Sequence, residues 1–204
     1  MKLLCRLFSG VSSVLNASQK ADFIAPLLLR VFLAPIFIMA GWGKLSDLDS
    51  TAYYFGEYLG MPLPELMAFL AGATEFFGGW FILLGFAVRL SAIPLAITMA
   101  VAALTAHWQF GWHALPEQTL TMPWEWRTDL IDAGALRKER AVALLQEHGN
   151  YSWLSEAGSF TVLKNGIEFA ATYFIMLIAL FFTGGGRWVS IDWYIDRYLK
   201  RFES

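Results

Sequence analysis

Three ionisable residues stand inside long apolar runs of the chain: Arg30 in IAPLLLRVFLAPIFIMAGW, Glu75 in LMAFLAGATEFFGGWFILL and Glu168 in NGIEFAATYFIMLIALFF. An ionisable side chain at the centre of a bilayer costs about 2.5–3.5 kcal/mol on insertion scales, so such residues face the interior of a bundle and have partners. Counted from one face, Arg30 lies about seven residues into its run, roughly 10 Å deep, and Glu75 about ten residues into its own, roughly 15 Å deep. Those depths overlap within side-chain reach and predict a buried Arg30–Glu75 pair, which is either functional or purely structural.

A second set is predicted at the opposite face. Lys44 ends the first run, His107 ends a third, and Glu168 lies early in the last. A lysine, a histidine and a carboxylate at one depth can move a proton, bind a quinone headgroup or hold an anion. The plainer alternative is that Lys44 snorkels to the interface and His107 caps its helix. His107 and His113, in HWQFGWH, match no zinc-ligand spacing. The sequence shows no metal, haem or flavin motif and no phosphate-cradling glycine loop, and its one cysteine, Cys5, excludes an internal disulfide or dithiol relay.

The elements that must carry these residues are membrane helices. Apolar residues make up 57% of the 204 and charged residues 16%, against roughly 45–50% and about 25% in soluble domains. A net charge of −2 gives no reason to expect nucleic acid, which would call for a basic stripe. Four stretches are long enough to cross about 30 Å of hydrocarbon: residues 23–42, 66–84, 90–108 and 162–182. Pro26, Pro35 and Pro94 fall within or beside them, as membrane helices tolerate. Residues 85–89, GFAVR, form a tight turn that makes the second and third helices antiparallel neighbours. Residues 1–22 place Leu3, Leu4, Leu7, Phe8, Val11, Val14 and Leu15 on one helical side, the pattern of an interfacial amphipathic helix.

The connections carry opposite charge. Residues 45–65 hold only acidic charges, whereas Lys2, Arg6, Lys20, Arg89, Arg187, Arg197, Lys200 and Arg201 all fall on one side if the chain crosses four times. The positive-inside rule then puts both termini in the cytoplasm and the 45–65 and 109–161 loops outside. The 109–161 loop contains Trp112, Trp124, Trp126 and Trp153 and one surface helix at 134–147, and is expected to rest on the membrane surface. The predicted fold is all-α: an integral membrane four-helix bundle (residues 23–204) with an amino-terminal interfacial amphipathic helix and a long extracytoplasmic loop, in a bacterial inner (plasma) membrane.

LLLRVFLAPIFIMAGWGKL, TEFFGGWFILLGFAVRLSAIPLAITMAVA and NGIEFAATYFIMLIALFFTGGGRWVSID together resemble the DoxX family of small four-helix bacterial membrane proteins. The resemblance spans roughly residues 23–110 and 163–192. It implies that the family's recurring polar residues fall on Arg30, Lys44, Glu75, His107, Glu168 and Arg187. It also implies a quinone-linked redox role, since the family takes its name from a membrane subunit of a thiosulfate:quinone oxidoreductase. On that footing Glu75, Glu168 and His107 are the expected proton-carrying catalytic groups, and Arg30, Lys44 and Arg187 the expected contacts to a quinone cofactor. The long 109–161 loop departs from the short family pattern and resembles the subgroup found beside operons for metal-responsive, cysteine-rich modified peptides of the bufferin type.

Three functions follow as expectations. In the first, the chain is a redox subunit in the lipid bilayer whose protein partner supplies the second redox centre, since the sequence carries none of its own. In the second, it is an accessory to transport or export of a small molecule or modified peptide; with no clear inverted repeat, a complete transporter would need a homo-oligomer. In the third, it is a scaffold whose Trp-rich loop docks a periplasmic partner.

Overall fold

A computed structural model describes residues 19–115 and 119–202. The predicted amino-terminal interfacial helix therefore lies outside the described residues, apart from a 3₁₀ turn at Gln19–Ala21 and Asp22 after it. The described chain is helical without a strand, and three of its helices are long and apolar enough to cross a membrane. It is an all-α membrane protein. The described residues form two compact units, one of those up to residue 98 together with those from 174 on, the other of those between 99 and 173.

In the first unit, α1 (Ile24–Ser46) packs along α3 (Pro64–Leu84). The two backbones touch: a Cβ added to Gly41 would collide with the Phe76 nitrogen and lie 2.7 Å from the Gly72 oxygen. Lipid offers no hydrophobic drive between helices, so such close approach is what allows dispersion contacts to accumulate. Between them, residues that were expected to form an acidic loop are mostly helical. The short helix α2 (Leu48–Tyr53) starts on an Asp47 cap and runs into a π-helical turn, Tyr54–Tyr58. Tyr58 stacks on Tyr54 and meets Tyr53 edge-on there, all three largely exposed, as residues of an interfacial aromatic belt are.

α3 stops at Gly85, whose φ of 70° places it in the left-handed region. A Cβ at this position would also lie 2.6 Å from the Arg30 guanidinium and from the Ser190 side chain. Glycine is thus required twice over, by backbone conformation and by the approach of a cation. The chain turns through Phe86 and Ala87 into α4 (Val88–Ala102), which continues through a π turn at Ala103–His107 and a 3₁₀ turn at Trp108–Phe110. After the last apolar helix, a short amphipathic helix α8 (Ile191–Leu199) begins on a Ser190 cap.

The second unit holds the end of the α4 run, α5 (Asp129–His148), one turn of α6 (Tyr151–Leu154) and the start of α7 (Glu168–Thr183). The surface helix is longer than the expected 134–147, and the fourth apolar helix is shorter than the expected 162–182. Its first residues are claimed by other bonds: the N–H groups of Lys164, Gly166, Ile167 and Glu168 donate to the carbonyls of Ala114, His113, Gly111 and Trp112. Those groups would otherwise be unsatisfied at a helix start, and at 16 residues α7 falls short of the three long helices.

Candidate functional site

The buried carboxylate of the first unit is Glu75, and its partner is Lys44. The Lys44 ammonium donates to the Glu75 carboxylate at 2.5 Å, with the two side chains 26% and 3% exposed. α1 runs past the expected end at residue 42 to Ser46, which leaves Lys44 in its last turn. The two helices run antiparallel, and Gly72 lies against both Gly41 and the Cβ of Lys44, from where the lysine side chain reaches along α3 to Glu75. Glu75 has no bond other than the one to Lys44 among the described residues, so a buried carboxylate with room for about four acceptor contacts is left with open positions. The flanking Trp42 and Phe76 rings stand 5.8 Å apart, and Trp42 is exposed.

The expected Arg30–Glu75 pair is not formed. Arg30 is 2% exposed and donates to four carbonyls: Ile82 and Leu83 at 2.7 Å each, Gly185 at 2.6 Å and Val189 at 3.1 Å. The α1–α3 register explains why, because it sets Arg30 opposite Ile82, seven residues and roughly 10 Å beyond Glu75. The carbonyls of Ile82 and Leu83 are orphans at the carboxyl end of α3, where a cation is favoured. At the amino end of α4 the complementary charge appears: Asp192 accepts from the N–H groups of Ala87 and Val88 at 2.6 and 2.9 Å, and its own N–H donates to Gly85. Arg30 and Asp192 thus cap both sides of the tight turn. Arg187 forms an exposed pair with Asp22 at 2.7 Å and lies over the Trp188 ring.

In the second unit, His107 and Glu168 both fasten the segment before α7. His107 donates through Nδ1 to the Asn165 carbonyl at 2.9 Å, which in the neutral ring leaves Nε2 as an acceptor. Glu168 accepts from the Ala114 N–H at 2.9 Å, with His113 Nδ1 3.7 Å from the same oxygen.

The strongest electrostatic feature of this unit was not singled out from sequence. Glu125 is buried, bonded to Lys164 at 2.6 Å and to the N–H groups of Trp112 and Arg127. Burial alone pushes this carboxyl up, but the Lys164 hydrogen bond, the two backbone N–H donors and the Lys164 charge outweigh it, and the group is held below the ordinary carboxylate range. Its signal in sequence was the Trp-Glu-Trp triplet, 124–126, a charge flanked by the residues most often used to bury one end and wet the other. Trp126 stacks on Trp108 at 4.5 Å. No group of three potential metal ligands gathers among the described residues.

Comparison with known proteins places this architecture. The family profile named DoxX matches residues 25–108, a stretch that includes Arg30, Lys44, Glu75 and His107. A Bacillus subtilis (strain 168) protein named "Putative oxidoreductase CatD" is 34% identical over 87 residues, covering 43% of this chain and 63% of that protein. Two Escherichia coli (strain K12) proteins named as inner membrane proteins, YqjF and YphA, are each 33% identical, covering 46% of this chain and 69% and 71% of their own lengths. The chain thus spans somewhat less than two thirds of the first relative. No solved structure matches the chain. The matched stretch holds the α1–α3 contact and the Lys44–Glu75 pair within it, and the chain belongs to the DoxX family.

Proposed function

We propose that this protein is the membrane subunit of a quinone-linked oxidoreductase, working with a partner protein in a bacterial inner membrane. The observation that carries the reading is the Lys44–Glu75 pair. The ammonium spends one of its three N–H donors on Glu75 and is the more exposed of the two, so two donors remain for a carbonyl oxygen. That chemistry fits a quinone headgroup, and the exposed Trp42 beside it on the same helix offers an aromatic face to a lipid-soluble ring. Reducing a quinone to a quinol takes two electrons and two protons; the electrons come from the partner's redox centre. Within this chain Lys44 holds and orients the oxygen, and Glu75 holds the proton delivered to it. His107 and Glu168, in the second unit, are the groups proposed to exchange protons with water.

The donors of Arg30 and Arg187 are engaged by carbonyls and by Asp22. The reading therefore gives these two arginines the task of fixing helix ends rather than contacting the cofactor. A fourth crossing by α7, both termini in the cytoplasm and an outer loop at 109–161 belong to the same proposal. They are supported by the basic residues Arg89, Arg187, Arg197, Lys200 and Arg201 and by relatives named as inner membrane proteins.

The test is extraction of the protein purified in mild detergent. Wild type is expected to carry quinone, Glu75→Gln and Lys44→Met to lose it while still inserting, and Glu168→Gln to retain it but turn over slowly. A quinone-free wild type sinks the reading. A second reading, docking of an outside partner for export or scaffolding, is favoured by the exposed Trp124 and Trp153 of the loop unit. It predicts that function survives Glu75→Gln and fails on Trp124→Ala.

A further inference from the structure

A cavity of about 330 Å³ opens in the second unit, lined by residues near the start of α5 and by the chain leading to α7. We propose that it is a binding site for a small organic carboxylate. Its lining belongs wholly to the second unit, apart from the quinone contacts proposed for the first.

The charge of the lining carries the argument. Every ionisable side chain that lines the cavity is a cation: Arg127, Arg137 and Lys164. The two carboxylates that neutralise Arg127 and Lys164, Asp129 and Glu125, are not part of the lining. One positive charge therefore remains, and it sits on Arg137, which has no ion-pair partner among the described residues. Lys164 adds a second sign of an absent acceptor. Its side chain is 7% exposed, and it makes one hydrogen bond, to Glu125 at 2.6 Å. Two N–H donors of a buried ammonium are thus left without a protein acceptor, and a buried donor without a partner is costly.

The rest of the wall selects the kind of anion. Phe110, Leu130 and Leu163 supply an apolar side, which an inorganic oxyanion would leave uncovered. The volume lies at the lower end for small-molecule sites, the space of roughly ten waters. A monoanion with a ring-sized apolar body matches both the single residual charge and the mixed wall. Arg137 would grip the carboxylate through its planar fork, which suits that geometry, with the spare donors of Lys164 as a second contact.

The experiment uses the full chain in detergent micelles and follows the ¹⁹F signal of 4-fluorobenzoate, with 4-fluorobenzamide as the neutral isostere. Saturable binding of the benzoate is expected, with affinity lowered about tenfold by Arg137→Gln and unchanged by Lys138→Gln, which removes the same charge from a residue outside the lining. The benzamide should bind at least about fivefold more weakly. The proposal is overturned if the benzoate does not saturate, if the benzamide binds as well, or if both charge variants weaken binding equally. Displacement by inorganic phosphate at the same concentration as by benzoate would overturn the organic part of the assignment.

Discussion

Among the described residues, each unit contains one lysine–glutamate pair with a buried carboxylate, and the two are bonded differently. Lys44–Glu75 and Lys164–Glu125 have nearly the same length, 2.5 and 2.6 Å. Glu125 has further donors in the N–H groups of Trp112 and Arg127, so its oxygens are saturated. Glu75 has Lys44 alone. A saturated buried carboxylate has nothing left to offer a ligand and acts as a rivet; an under-coordinated one keeps acceptor capacity in a place where such capacity is expensive to maintain. Identical residue types at nearly identical distance therefore differ in the acceptor capacity they keep, through the backbone donors around them.

The largest effect that tests this contrast is expected at Glu125→Gln. It leaves the Lys164 ammonium buried without its counter-charge, and the loop unit should lose about 3–5 kcal/mol, read as loss of the Trp108–Trp126 fluorescence signature on heating. The same group fixes a pH dependence. Its carboxyl is held below the ordinary range when folded, so its stabilisation is complete above the unfolded value, about 4.3, and is lost as pH falls through the folded value. Acid titration of wild type should melt the loop unit in that window, and Glu125→Gln should abolish the dependence.

Next in size is Arg30→Met, which strips the donors from the carbonyls of Ile82, Leu83, Gly185 and Val189. A loss of about 3 kcal/mol is expected, measured as a lowered thermal midpoint in detergent. Arg30→Lys should recover part of it, since an ammonium has fewer donors and no fork. The smallest effect on stability is expected at Glu75→Gln, about 1 kcal/mol, because Lys44 is partly exposed and its head can snorkel outward. The comparison breaks if Glu75→Gln unfolds the first unit as severely as Glu125→Gln unfolds the second. It sharpens if the double variant Lys44→Met with Glu75→Gln is as stable as wild type yet holds no ligand.

How far the sequence can be read follows from these residues. Three of the four expected spans are legible because an apolar run of about 20 residues in a short chain has few places to go but a membrane. The tight turn is legible because Gly85 and Arg89 bracket a stretch too short for anything else. The partner of Arg30 is not, because it is the backbone: no side-chain census records that the carbonyls of Gly185 and Val189 will face a helix 155 and 159 positions earlier. Glu75 is correctly placed as a buried charge, but matching by depth gives it the wrong cation. Aligning Gly41 with Gly72, since small residues mark the line along which two membrane helices touch, leaves Lys44 and Glu75 within the combined reach of their side chains. Glu125 is hidden by its loop, where an acidic residue is ordinarily solvated; only its flanking tryptophans distinguish it.

The carbonyl cradle around Arg30 also imposes an order on synthesis. Arg30 enters the membrane with the first helix, while two of its four acceptors lie 155 and 159 residues downstream. At about 5–20 residues per second, the ribosome needs roughly 8–30 seconds to deliver them. During that interval the first helix carries a cation whose final partners do not yet exist, so a chaperoning environment, the insertion channel or water at the interface must hold it. The segment from Gly184 to Asp192 then acts as the latch that closes the assembly. Ribosomes stalled before it should leave nascent chains whose first helix remains exposed to modification at the membrane face, and chains released after it should be protected.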